Sequence, residues 1–339
     1  MKNLMVWLTI NRNCNLHCGW CYQGDVAQNN NTMTYRLSEE LIDISSGLGA
    51  ANVILIGGEP TLHPRFFDII GYIRNRGLKA SLVSNSIKFS DKAFVNQAKE
   101  AGLQAVTTSI KGSSGEEYLA STGKDVFCLV KTALQNLKDS GIISQVSVTV
   151  SESVIANWEG MIRFIKENGI NNLIFSFEKP TILSDGISFD EKMLPVNISK
   201  FIQEVMYPSL LQTGAKFKIE LIFQQCVLNN GFVEELEDKE HAFGGCLLLK
   251  HDSRVVFDPQ GFVLPCNHFL MHPLGKYGED FKSPREFIAW RQSEKVRRFY
   301  QVTEAAPGEK CAQCGRWSKC GAGCRIYWLY AGQDKLMPV

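Results

Sequence analysis

Leu4-Met-Val-Trp-Leu-Thr-Ile-Asn11 runs through Arg12-Asn13 into Cys14-Asn-Leu-His-Cys18-Gly-Trp-Cys21, and the reading of this stretch decides the fold. Leu4–Ile10 is apolar and partly β-branched and aromatic, the composition of a strand. Three cysteines then follow within eight residues. A strand that ends in a ligand-rich loop fits α/β proteins whose chemistry sits at the C-terminal ends of parallel strands. Three thiolates at this spacing can wrap an iron–sulfur cube and leave its fourth iron open. They can also hold zinc if His17 adds a fourth ligand.

Outward from that loop, strand-like and helix-like segments alternate. Val53–Ile56, Leu78–Val83, Ala105–Ile110, Gln145–Val150 and Leu173–Phe177 read as strands. Between and after them, a helix capped by Ser38, then Phe66–Arg76, Asp91–Ala101, Val126–Lys138, Trp158–Glu167 and Ile198–Leu211, carry helical spacing. Six β/α units in a row predict a parallel sheet with helices outside. Right-handed crossovers curve it into a partial (β/α)6 TIM-like barrel. The rhythm changes after residue 215. Lys216–Phe223 is expected to be one more strand, Val255–Leu264 a hairpin around Asp258-Pro259-Gln260-Gly261, Met271–Glu279 a loop and Pro284–Tyr300 a helix. The expected organisation is a barrel over 1–215 and a small cysteine-rich domain over 216–339. Cys128, within the helical apolar pattern, is expected in the core.

Bulk composition narrows the function classes. The 339 residues carry 36 Lys plus Arg against 35 Asp plus Glu, so nothing marks a nucleic-acid or membrane-surface protein. No apolar run is long enough to span a bilayer. Met1–Asn11 lacks the layout of a signal peptide, and a cytoplasmic protein is expected. Eleven cysteines is an odd number, and two groups are tightly clustered, which favours metal ligation over a disulfide framework.

The second group is Cys311-x2-Cys314-x5-Cys320-x3-Cys324, preceded by Cys246 and by Gly261-x4-Cys266. The stretch from Pro307 has too few apolar residues to build a core unaided, and metal would supply the missing stability. A zinc ribbon is the alternative for 311–324. At the strand ends, Gly57-Gly58-Glu59-Pro60 allows close backbone approach. Ser84-Asn85 and Ser109 with Lys111 end the next two strands. Ordinary strand-end capping explains each of these polar residues singly; their shared register suggests a common pocket.

Taken together, the cysteine loop, the Gly-Gly-Glu-Pro element and the strand order resemble the radical S-adenosylmethionine (SAM) family, with Trp20 in the aromatic position of its loop. The C-terminal spacing resembles that family's SPASM extension. The resemblance implies a 4Fe–4S cluster on Cys14, Cys18 and Cys21, whose open iron chelates SAM. It implies reductive cleavage of SAM to a 5′-deoxyadenosyl radical that takes hydrogen from a substrate C–H bond, an oxidoreductase-type activity. Gly57, Gly58, Glu59, Pro60, Ser84, Asn85, Ser109 and Lys111 would then line the SAM site. One or two auxiliary 4Fe–4S clusters are implied, Cys246, Cys266 and Cys324 serving one and Cys311, Cys314 and Cys320 the other. The extension's last cysteine is absent, which leaves the second cluster with either an open iron or a non-thiolate ligand, Asp334 being the nearest carboxylate, and leaves the first without a fourth ligand unless Cys226 supplies it.

The resemblance further implies a peptide or protein side chain as substrate, as in maturation of ribosomally made peptides. Modification of a small molecule such as a sugar, nucleoside or amino-acid intermediate is the alternative. A flavodoxin or ferredoxin would supply electrons. The chain begins almost at the first strand, so leader recognition would fall to a separate protein. A zinc-binding scaffold without catalysis and an electron carrier that has lost catalysis are the other classes. Glu152, Glu178, Asp258, His268 and Tyr327 are candidate pocket residues.

Overall fold

The computed structural model of the chain describes residues 4–24, 31–331 and 336; Asp334 lies outside them. Six strands, β1 (Leu4–Asn11), β2 (Ala50–Gly57), β3 (Lys79–Ser84), β4 (Leu103–Ile110), β5 (Ile143–Val150) and β6 (Asn172–Phe177), stand side by side in sequence order, all parallel. Helices fill the crossovers. Thr34 and Asp91 cap two of them by accepting from the Leu37 and Ala93 N–H groups, at 3.2 and 2.8 Å. The first helix therefore starts at Tyr35, one turn before the expected Ser38 cap, and Ser38 lies buried inside it.

The sheet's two faces differ. Strands of a fully covered parallel sheet read as continuous apolar runs. Here Val106, Thr108 and Ile110 of β4, Val146, Val148 and Val150 of β5, and Leu173, Phe175 and Phe177 of β6 are buried, while the residues between them are half-buried. Those alternate residues are mostly small and polar: Thr107, Ser109, Ser147, Thr149 and Ser176. One face packs against helices, and the other is a polar surface suited to a bound molecule. This is the partial TIM-type α/β barrel the sequence leads one to expect.

The remainder of the chain extends the same sheet at both edges. After a small ribbon of β7 (Thr181–Ile182) and β8 (Ile187–Ser188), β9 (Lys216–Glu220) joins β6 in parallel, and β10 (Ala242–Phe243) joins β9. On the far side β11 (Arg254–Phe257) pairs in parallel with β1 and turns back as β12 (Phe262–Leu264), which takes up β13 (Gly275–Lys276). Each of the two apolar cores draws on both parts of the chain. Phe175 and Phe177 share one with Ile219, Phe223 and Tyr327, and Val6, Leu8 and Leu55 share the other with Phe257, Phe281 and Phe287.

Four local expectations change. Pro284–Tyr300 is two helices, Pro284–Arg291 and Glu294–Glu304, because Ser293 adopts an extended conformation that starts the second. Met271–Glu279 contributes the short strand β13. The helix after β6 includes a π turn, Ile202–Met206, just ahead of Pro208. Proline has no N–H to donate and crowds the carbonyl four residues back, so the helix widens there. Cys128 is exposed. Its helix buries Val130, Ala133 and Leu137, a stripe that the 3.6-residue period does not carry to position 128. Among the described residues, no helix is long and apolar enough to cross a membrane.

Candidate iron–sulfur and cofactor site

The loop after β1 is fixed mainly by its backbone. The Gly58 N–H donates to the Asn11 carbonyl at 3.0 Å and the Glu59 N–H to the Asn13 carbonyl at 2.6 Å. On the other side, the His17 and Gly19 N–H groups donate to the Thr122 and Ser121 carbonyls at 3.0 and 3.2 Å. The glycines are required by contact. A Cβ on Gly57 would stand 2.4 Å from the Asn11 carbonyl oxygen, and one on Gly58 would stand 2.2 Å from that of Asn13. Backbone cannot yield there, so only glycine lets the end of β2 lie against the cysteine loop.

The three thiols lie close enough to influence one another. Burial pushes Cys14 up to about 12; the Leu16 N–H opposes this, and Glu59, Cys18 and Cys21 add to it. Burial also raises Cys21, against the Gln23 N–H and the nearby Lys111 charge. Buried thiolates need a counter-charge, and an iron–sulfur cube supplies one. The donor set therefore fits that group. Among the described residues, no three His, Cys, Asp or Glu side chains converge as ligands of a single metal ion. Cysteines around a four-iron cube stand further apart, since each binds a different iron.

Around this loop the expected strand-end residues occupy definite places. Glu59 is buried, and its carboxylate accepts from the Thr61 N–H and Oγ1 (3.1 and 2.7 Å), the Ser84 Oγ (2.8 Å) and the Asn85 N–H (2.8 Å). Pro60 opens the short turn Pro60–Leu62, where a missing N–H costs nothing. The Asn85 amide donates to Asn15 Oδ1 at 2.7 Å, tying β3 to the cysteine loop. Lys111 donates to Ser109 Oγ at 2.5 Å. Glu59, Ser84 and Asn85 are thus bound to the protein's own groups. Lys111 and Ser109 are half-buried at the end of the polar face, and among the described residues their side chains bond only to each other. Trp20 is half-buried within the loop.

Several buried polar atoms nearby have no protein partner: both amide atoms of Gln23, Nη1 of Arg12, Nδ1 of His268 and Oδ1 of Asn267. The Tyr22 and His268 rings stand 5.3 Å apart, so the cysteine loop meets the C-terminal part here. Burial and the Lys179 charge pull His268 down to about 3, so it is neutral. Burial, with Asp190 and Glu152, lifts the half-buried Glu178 to about 7. Tyr327 donates to the Glu178 carbonyl at 2.7 Å. Asp258 holds the hairpin turn through the Gln260 and Phe262 N–H groups, both at 2.9 Å, and pairs with Arg12 at 3.4 Å. Glu152 is a surface partner of Lys192.

The later cysteines form two groups. The free thiol of Cys324 hydrogen-bonds to the Cys246 sulfur, which lowers Cys246 and raises Cys324, and Cys266 stands beside both. Lys179 faces this group. Burial pulls its pKa down, but Glu220, 3.0 Å away, and the thiols of Cys324 and Cys266 outweigh that and raise it. Cys311, Cys314 and Cys320 form the second group. Cys226 joins this second group, not the first, as its neighbours are Cys320, Cys311 and Cys314. Arg316 and Lys319 turn away to Glu237, each at 2.8 Å.

Residues 8–165 match the model of the Radical SAM superfamily. The chain therefore carries a radical SAM domain over those residues. It is 21% identical over 324 residues to the mycofactocin maturase MftC of Mycobacterium ulcerans, an alignment covering 94% of this chain and 82% of the relative. It is 24% identical to the AdoMet-dependent heme synthase of Methanosarcina barkeri, covering 98% and 94%. Similarity to the Fe-coproporphyrin III synthase of the same organism, 23% identity, takes in 58% of this chain and spans half of the relative's length. In fold, the chain is similar to anSMEcpe solved with bound AdoMet (TM-score 0.75, 18% identity, covering 98% and 89%) and to Streptococcus suis SuiB (TM-score 0.73, 16% identity, covering 99% and 76%).

A radical SAM domain implies a 4Fe–4S cluster and SAM, and the cysteine-rich C-terminal region fits an auxiliary-cluster domain. Two cations near the later cysteines escaped the sequence reading. Lys179 follows β6 by two residues and gives no motif signal. Arg325 is buried; Cys246, Cys311, Cys324 and Cys320 all act on its charge, and its guanidinium donates to the Thr303 and Ala305 carbonyls at 2.7 and 3.0 Å. Its position next to Cys324 was the available signal.

Proposed function

We propose that this radical SAM enzyme abstracts hydrogen from a peptide or protein side chain, and that its C-terminal part, residues 216–339, carries auxiliary 4Fe–4S clusters beside the barrel of residues 1–215. The bound cluster and SAM supply the 5′-deoxyadenosyl radical. Cys14, Cys18 and Cys21 would hold the cluster. Gly57 and Gly58 would let the end of β2 press against the loop that holds the cluster, and Lys111 would meet the SAM carboxylate through a charge-assisted contact. Glu59, Ser84 and Asn85 would position the strand ends rather than touch the cofactor.

The observation that carries this reading is the polar face of β4 to β6, at whose strand ends Lys111 stands near Cys21 and Lys179 near Cys266 and Cys324. A polar face that runs across three strands between two cysteine groups suits a chain of residues better than one small closed pocket. The breadth of similarity to a maturase, 94% of this chain, supports the same reading. So does the fold shared with SuiB, which has been solved bound to its precursor peptide SuiA. Cross-linking, thioether formation, epimerisation and oxidation of a ribosomally made peptide are all within this chemistry. A flavodoxin or ferredoxin would be the electron donor, a separate protein would bind a leader peptide, and the reaction would take place in the cytoplasm.

One observation favours a small molecule instead: the heme synthase similarity covers 98% of this chain. Deuterium transfer decides between the two. The reconstituted enzyme, SAM and a reductant are incubated with the peptide fraction or the small-molecule fraction of cells grown in deuterated medium. Deuterium appearing in 5′-deoxyadenosine with the peptide fraction supports the proposal. Deuterium appearing only with the small-molecule fraction replaces it with the alternative.

A further inference from the structure

We propose that Cys226 is the fourth ligand of the iron–sulfur cluster held by Cys311, Cys314 and Cys320, completing a set that those three cysteines leave one short. The inference rests on the auxiliary-cluster reading above.

Cys226 is remote in sequence, yet its segment is clamped to the cysteine loop at four points. The Cys324 N–H donates to the Ile222 carbonyl at 2.5 Å. Gly323, at φ +72°, lies so close that a Cβ would stand 2.6 Å from that same carbonyl oxygen. The Gln225 N–H donates to Cys320 Sγ at 3.4 Å. Arg316 Nε donates to Gln225 Oε1 at 3.1 Å, and Arg316 is held in turn by Glu237 at 2.8 Å. Cys226 lies in the tight turn Gln225–Val227 at the centre of these contacts. The thiols that neighbour it are those of Cys320, Cys311 and Cys314.

The turn that carries Cys226 is thus held against Cys320, and with Cys311 and Cys314 this makes four thiols, the donor set of a closed 4Fe–4S cube. On binding, Cys226 releases its thiol proton to solvent, and its sulfur donates an electron pair to the fourth iron. Nothing is oxidised or reduced. A cluster closed by four thiolates has no iron free for substrate, so the role left to it is electron transfer or stapling of the chain's last segment.

The experiment uses the full chain, reconstituted anaerobically, with Cys14, Cys18 and Cys21 changed to Ala so that only auxiliary iron remains. Adding Cys311→Ala, Cys314→Ala and Cys320→Ala should remove about four irons. If it removes none, no cluster forms there and the auxiliary-cluster reading itself fails for this group. If it removes about four, Cys226→Ala decides the inference. Loss of iron, or an electron paramagnetic resonance signal of a three-iron cluster, supports it. Full iron with an unchanged spectrum overturns it and leaves the cluster itself in place. Alkylation of the unmutated loaded protein is a check that needs no Cys226 variant. Cys226 and Cys128 are both exposed in the structure. Cys128 should react freely, while Cys226 should react only after the iron is chelated. Equal reaction of both in the loaded protein overturns the inference.

Discussion

The two cysteine regions are built in opposite ways. Cys14, Cys18 and Cys21 lie within eight residues, and their loop takes its shape from backbone contacts to Asn11–Asn13, Gly57–Glu59 and Ser121–Thr122. The later group gathers Cys226, Cys311, Cys314 and Cys320 from segments about eighty residues apart, with Cys246, Cys266 and Cys324 alongside. A local site needs little chain ordering beyond its own loop. A dispersed one must close long loops first, and that entropy has to be offset by packing or by metal. The first region should therefore respond to small geometric changes with loss of chemistry, and the second with loss of iron and stability.

The largest expected effect tests the division of labour. Cys14→Ala, Cys18→Ala and Cys21→Ala together should abolish 5′-deoxyadenosine formation while the remaining iron stays bound. Iron analysis and chromatography on one sample report both. Retained cleavage would break the comparison at its root.

Next comes Gly58→Ala. The added methyl meets Asn13 and Arg12 carbonyl oxygens at 2.2 and 2.4 Å, so the cysteine loop must shift. A displacement of roughly 1 Å at a reacting centre costs on the order of 100-fold in rate, and SAM cleavage should fall by about that much with auxiliary iron unchanged. If cleavage holds and iron is lost instead, the loop is not the locally determined element described above.

Asp258→Ala probes the join between the regions. Arg12 and Asp258 are a buried pair, with side chains only 5% and 8% exposed. Removing one partner strands the other charge and should cost about 3–5 kcal/mol, read by denaturant unfolding. Asp258→Asn, which keeps part of the turn's hydrogen bonding, should cost less.

The smallest effect concerns Glu178, half-buried at the end of β6. Its carboxyl is raised to about 7 by burial and by Asp190 and Glu152, so the fold favours its protonated form. That contribution is full below the unfolded carboxyl's usual value and fades as pH rises through about 7. Glu178→Gln should raise the melting temperature at pH 8 by a few degrees and leave it unchanged at pH 4. A gain of equal size at both pH values would mean that ionisation has no part in it.

Much of the barrel was legible because its signals are local. Six alternating units, glycine stops and the Val255–Leu264 hairpin follow from hydrophobic period and turn chemistry. The alternation in β4 to β6 also held the polar face in plain view, since a strand's side chains point to opposite sides in turn. What failed was local in another sense. Pro284–Tyr300 kept a helical period across a break at Ser293, and Cys128 was counted into a stripe that the helix geometry turns toward solvent.

The sequence by itself determined the barrel order, the cysteine loop, the glycines that press on it and the composition of the donor sets. Each is written in neighbouring residues, where chain geometry leaves few choices. Only the tertiary structure decided that Ser84 and Asn85 serve Glu59 and the loop, that Asp258 holds Arg12, that Lys179 and Arg325 bring charge to the later cysteines, and that Cys226 sits with Cys311, Cys314 and Cys320. These depend on which distant segments close-pack, and spacing along the chain does not encode a contact whose partners are brought together by the core between them.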